Sequence, residues 1–193
     1  MKDIILASGS PRRKELIKQI GLNVTIMPTD FIENNSLPPK KQVIYNAKGK
    51  AKWVLDRINQ HSIIIASDTI VTIDDKVLGK PKDREDAKRM LNLLRGKSHK
   101  VLSSLYLIDS NNNYSISDIV STEVYMREFS DLELNNYLNT NEPYDKAGGY
   151  AIQGRASIFV TRIKGSYSNV VGLPLAELTQ LLSKFNVEVS SAW

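Results

Sequence analysis

The sequence predicts an α/β or α+β chain built on a mixed sheet, and three observations carry this. Isoleucine- and valine-rich runs alternate with segments of helical period along the whole chain. Gly, Pro, Asn and Asp gather at the junctions between them. At residues 74–75, an Asp-Asp pair separates two apolar runs, as a two-residue hairpin turn between antiparallel strands would.

The elements follow in order. "DIILAS" reads as a strand, and "RRKELIKQI" as a helix with Ser10 as N-cap, Pro11 at its first position and Gly21 as its stop. The stretch "TDFIENNSLPPKK" is too rich in Asn and Pro to be an element. "QVIYNAKGKAKWVLDRI" is a second helix whose apolar stripe includes Val43, Ala47, Ala51 and Val54. Gly49 inside it costs about 1 kcal/mol relative to Ala, which marks a place where something approaches closely.

"HSIIIASDTIVTI" is a buried strand, with "KVLGKP" as its hairpin partner. "DREDAKRMLNLLRG" is a third helix, capped by Asp83 and stopped at Gly96. "HKVLSSLYLI" and "YSISDIVSTEVYMREF" make a long hairpin around "DSNNN", and Ser130 caps a short helix after it. Beyond the loop "TNEPYDKAGGYAIQG", "SIFVTRI" is expected as a strand and "LPLAELTQLLSKF" as a helix starting near Pro174.

Bulk properties narrow the class of protein. The 193 residues suffice for one domain with a real core, and 41% hydrophobic with 24% charged residues is an ordinary globular balance. There is no cysteine, which excludes disulfides and thiolate metal sites and suits the cytosol. No apolar run approaches the roughly 20 residues of a membrane span, and the N-terminal run is too short for a signal peptide, so a soluble cytoplasmic protein is expected. Charge is unevenly placed: residues 1–60 hold 11 Lys/Arg against 5 Asp/Glu, a net +6 within a chain of net +5. That excess favours an anionic ligand bound by the front third, although a solvated basic helix face gives the same pattern.

Four groups could carry chemistry. In "ASGSPRRKEL", Ser8, Ser10, Arg12 and Arg13 surround a helix start, whose free N–H groups and partial positive charge attract anions. The stretch reads as a phosphate cradle or, more simply, as a capped helix followed by surface arginines. Asp68 directly follows an apolar run in a strand, where a carboxylate needs a partner or a metal. A two-residue turn at 74–75 pairs residue i with 149 − i, placing Lys80 opposite Thr69 and beside Asp68. In "AKGKAK", Lys48 and Lys52 share one helix face while Lys50 points toward the apolar side, either seeking an anion or snorkelling. In "EPYDKAGGYAIQG", Glu142, Asp145 and Lys146 crowd a turn, and Gln153 offers an amide on an expected short strand. Glu33, by itself in a polar loop, reads as surface.

"LASGSPRRKEL", "SDTIV…LGKPKD", "LRGKSHKV", "EPYDKAGGYAIQG" and "GSYSNVVGLPL" occur in that order between residues 6 and 175. Together they closely resemble the Maf family of nucleoside triphosphate pyrophosphatases. The resemblance implies a single domain over 1–193 of inosine triphosphate pyrophosphatase-like fold, with two lobes around a central cleft, and a homodimer. It also implies hydrolysis of a nucleoside triphosphate to the monophosphate and pyrophosphate, with a divalent cation, Mg²⁺ or Mn²⁺. By resemblance Asp68 is the proton acceptor, Ser8, Arg12, Arg13, Lys50 and Lys80 are phosphate-binding, and Glu33 joins Asp68 at the metal. Arg12, Thr69 and Gln153 match the branch acting on dTTP and UTP. One amide suits both bases, since thymine and uracil present the same O4 acceptor and N3–H donor. The competing class is a nucleotide- or nucleic-acid-binding regulator of cell division. Only Tyr45 and Trp53 accompany the lysine-rich helix, and no stacking platform or groove-entering motif is evident, which disfavours it.

Overall fold

A computed structural model describes residues 2–189. The elements are β1 (Asp3–Leu6), α1 (Pro11–Gln19), β2 (Thr25–Ile26), α2 (Pro39–Leu55), β3 (Ser62–Ile73), β4 (Lys76–Leu78) and α3 (Arg84–Leu94), then β5 (Ser98–Asp109), β6 (Ser115–Met126), α4 (Asp131–Leu138), β7 (Val160–Lys164), α5 (Tyr167–Val171) and α6 (Leu175–Ser183). The sheet runs β2-β1-β3-β5-β6-β7, with β4 also on β3. β1 pairs parallel with β2 and β3, whereas β4 on β3 and β7 on β6 are antiparallel, so the sheet is mixed as expected.

The chain divides into two compact units. The first holds residues up to Asp68, Ser103–Val120 and the chain from Gly172 onward; the second holds Thr69–Leu102 and Ser121–Val171. In the first, α2 lays Ala47, Ala51 and Val54 on Ile5, Ile64, Ala66, Tyr106 and Ile108. The period-2 alternation of β3 therefore sends Ile64, Ala66 and Asp68 to the same face. The core of the second includes Leu91, Leu94, Val124, Met126, Phe129, Leu134, Tyr137 and Phe159. There His99 is buried, with Nε2 2.6 Å from the hydroxyl of Tyr150, and its Nδ1 has no partner among the described residues.

The expected hairpin turn forms. Asp74 and Asp75 have φ of 48° and 59°, and Val71↔Leu78, Thr72↔Val77 and Ile73↔Lys76 follow the 149 − i register. Positive φ at both central residues is the type I′ signature, whose twist matches that of the strands. Other local expectations need correction. α2 begins at Pro39 rather than Gln42, because proline at a first helical position lacks only an N–H that would be unpaired anyway. Ser10 occupies the N-cap position of α1, but its side chain makes no capping bond. Ser157–Phe159, expected in a strand, belong to a 3₁₀ turn over Arg155–Phe159, and β7 starts only at Val160. α5 is a short helix that the sequence did not suggest.

Candidate active site

The site in the first unit starts where β1 stops. β1 and β3 are in register up to Leu6↔Ile65, so β3 carries Asp68 beyond the carboxyl end of its parallel neighbour. Ligands of open parallel sheets bind outside such ends. The chain leaving β1 turns through Ser8, whose hydroxyl accepts hydrogen bonds from the Ser10 N–H at 3.3 Å and from Arg13 Nη1 at 3.3 Å. Arg13 Nε donates to the Gly172 carbonyl at 2.8 Å, which pins the guanidinium beside the start of α1. Burial lowers the pKa of Arg13 and Arg12 pushes the same way, while the charges of Asp68 and Glu33 oppose the shift. An arginine starts so far above neutrality that it stays charged. Arg12 is half-buried and makes no hydrogen bond or ion pair among the described residues.

Asp68 is only 5% exposed, and both of its oxygens are held. Lys50 Nζ lies 2.7 Å from Oδ1, and Asn46 Nδ2 donates to Oδ2 at 3.2 Å. Lys50 therefore does point inward, at 8% exposure, while Lys48 and Lys52 on the other face are exposed. Its ammonium is also 2.7 Å from Glu33 Oε1, so two carboxylates converge on one cation. Glu33 is thus no isolated surface residue. Gly49 explains how its loop gets there: a Cβ at this position would collide with the Phe31 ring, so the missing side chain lets the loop lie on α2. The Asn34 N–H then donates to Asn46 Oδ1 at 2.9 Å.

The other sequence candidates belong to the second unit. Thr69 directly follows Asp68 and is half-buried. β4 ends at Leu78, and Lys80 lies beyond it and is exposed; the ammonium paired with Asp68 is that of Lys50. Gln153 is exposed in a turn rather than on a strand. Glu142 braces the backbone. It accepts from the N–H groups of Arg155 at 2.9 Å and Ala156 at 3.2 Å, and from the Tyr137 hydroxyl at 3.0 Å. Asp145 and Lys146 form an ion pair with each other.

The family model described as Maf-like protein matches residues 3–185. The chain belongs to the Maf-like proteins. Among relatives in this family, a dTTP/UTP pyrophosphatase of Clostridium botulinum (strain Eklund 17B / Type B) is 47% identical over 186 residues, covering 94% of this chain and 98% of that protein. The dTTP/UTP pyrophosphatase of Ruminiclostridium cellulolyticum is 45% identical over 195 residues, covering 98% and 99%. That of Alkaliphilus metalliredigens is 44% identical over 186 residues, covering 95% and 96%. Of solved structures, the Staphylococcus aureus Ham1 protein aligns with a TM-score of 0.49 at 14% identity, over 95% of this chain and all of that one.

For this Maf-like chain, the donor set suits a small hard cation. Mg²⁺ is usually held by one or two carboxylates, with phosphate and water completing the shell. Asp68 and Glu33 already share one positive charge, and among the described residues no three His, Cys, Asp or Glu side chains cluster into a fuller cage. One site residue is not evident from sequence, namely Asn46. Its signal lay in the spacing: Gln42, Asn46 and Lys50 recur every four residues on the buried face of α2, where a core helix would carry apolar side chains.

Proposed function

We propose that this Maf-like chain hydrolyses dTTP and UTP to the monophosphate and pyrophosphate. The observation that carries the reading is the buried Asp68–Lys50 pair with exposed Glu33 on the same ammonium, set in the same unit as the Ser8–Arg13 junction at the start of α1. A carboxylate held this firmly beyond the end of a parallel strand is suited to water activation, and the neighbouring cations to a polyanion. The pyrimidine substrates are those in the names of the relatives above.

In this mechanism Asp68 orients the attacking water and takes up its proton. Ser8, Arg12, Arg13 and Lys50 bind phosphate oxygens and stabilise the negative charge that develops as the bond to the leaving pyrophosphate breaks. Lys50 also holds Asp68 and Glu33 together before substrate arrives. Asp68 and Glu33 would hold a divalent cation, Mg²⁺ or Mn²⁺, which when bound neutralises phosphate charge and fixes the triphosphate. Resemblance alone supports Lys80 as a further phosphate ligand, and Arg12, Thr69 and Gln153 as selectors of the pyrimidine. It also supports a homodimer acting in the cytoplasm.

The test is an assay of the purified protein with Mg²⁺ and each common nucleoside triphosphate, with and without added inorganic pyrophosphatase. Phosphate that appears from dTTP and UTP only with the added enzyme is the expected result, and its absence with both nucleotides overturns the substrate assignment. Asp68→Asn is expected to lower kcat by about 10²-fold or more, the span of general-base contributions. A variant turning over like the wild type would remove Asp68 from the chemistry.

A further inference from the structure

Asn46 is wholly buried and uses both ends of its amide. Nδ2 donates to Asp68 Oδ2 at 3.2 Å, and Oδ1 accepts the Asn34 N–H at 2.9 Å. Chemistry fixes this orientation, because a carboxylate only accepts and a backbone N–H only donates; a flipped amide would break both bonds. We propose that Asn46 is a positioning residue for the hydrolytic step, a clamp that sets the rotation of the Asp68 carboxylate and its spacing from Glu33. This role rests on the hydrolytic reading above.

Covalent connections carry the constraint from one acid to the other. Asn34 is the residue after Glu33, so the bond to its N–H anchors the peptide that carries Glu33. With Oδ2 taken by Asn46 and Oδ1 by Lys50, the Asp68 carboxyl plane cannot turn without breaking a bond to a charged group. Lys50 ties the same two acids by charge, but its long chain has more rotamers than the short amide of Asn46. The ammonium therefore supplies attraction and the amide supplies direction. An α2 carrying alanine at position 46 would keep its fold-forming stripe of Ala47, Ala51 and Val54 while freeing the carboxylate to rotate.

Two variants and one wild-type measurement test this. Asn46→Asp keeps an acceptor for the Asn34 N–H and loses the donor to Asp68, whereas Asn46→Ala loses both. For each, kcat with dTTP measured well below the thermal midpoint is expected to fall by about tenfold or more, with KM changed by less than about threefold. The midpoint itself falls, because buried polar groups lose their partners. A folded variant whose kcat stays within about twofold of wild type, or whose loss appears in KM alone, overturns the clamp. Should neither variant fold, nuclear magnetic resonance of the wild type decides. On adding Mg²⁺ with a non-hydrolysable dTTP analogue, the Asn46 side-chain amide is expected to shift together with the backbone amide of Arg13. A shift at Arg13 without one at Asn46 overturns the clamp, and no shift at either overturns the hydrolytic reading instead.

Discussion

His99 shows how one buried side chain sets a pH limit on the fold. Burial pulls its pKa down from 6.5 to about 4, and a protonated ring would carry an Nδ1–H with no acceptor. The unfolded chain therefore binds a proton that the folded one refuses between pH 6.5 and about 4. This contribution to stability is complete above pH 6.5 and is lost as pH falls toward 4, amounting to roughly 3 kcal/mol at most. Urea titrations across that range should show the decline in wild type and a shallower one in His99→Phe; equal slopes would remove His99 as its source. The active-site residues differ in how far sequence exposed them. Asp68 stood out because a carboxylate in an apolar strand is costly, and Lys50 because its phase on α2 was apolar. Glu33 and Asn46 did not, because a polar loop has no period and an amide carries no charge. Only the fold of the loop over α2 brings Glu33 onto Lys50 and the Asn34 N–H onto Asn46, the two groups that hold Asp68.

At the scale of elements, α2 and the loop before it depend on the absence of a side chain. Gly49→Ala improves helix propensity by about 1 kcal/mol but drives a methyl group into the Phe31 ring. The loop must lift, and Glu33 leaves Lys50 with it. Turnover is expected to fall by about tenfold or more in Gly49→Ala, with partial recovery in the Gly49→Ala/Phe31→Ala double variant, where the obstructing ring is gone. An unimpaired single variant would show that the loop's seat on the helix is immaterial. The β3–β4 hairpin offers a test with the opposite sign. Asp75 sits at φ of 59°, a region that costs a residue with Cβ about 1 kcal/mol. Asp75→Gly should raise stability by about 0.5–1 kcal/mol in urea unfolding, as the Asp-Gly pair suits a type I′ turn. Both features were legible beforehand, the hairpin from two acidic residues between apolar runs and the close approach from a glycine within a helix. The 3₁₀ turn at Arg155–Phe159 was not, because its start is fixed by Glu142, thirteen residues earlier, and no local pattern records that bond.

At the scale of the whole molecule, charge placement and chain routing matter most. The net +6 of residues 1–60 lies within the first unit, and Lys40, Lys41, Lys48 and Lys52 of α2 are exposed. Such a field draws in a triphosphate but is screened over about 10 Å at 0.1 M salt. KM for dTTP should therefore rise several-fold between about 0.05 and 0.5 M KCl while kcat stays nearly constant. A KM indifferent to salt would leave the basic excess without a part in capture. The chain first passes from one unit to the other at the peptide bond joining Asp68 to Thr69. Every residue proposed for hydrolysis except Lys80 lies on one side of it, and two of the three proposed to choose the base, Thr69 and Gln153, lie on the other. A lineage could thus exchange one nucleobase for another by rewriting the second unit while its hydrolytic machinery passed unaltered through descent.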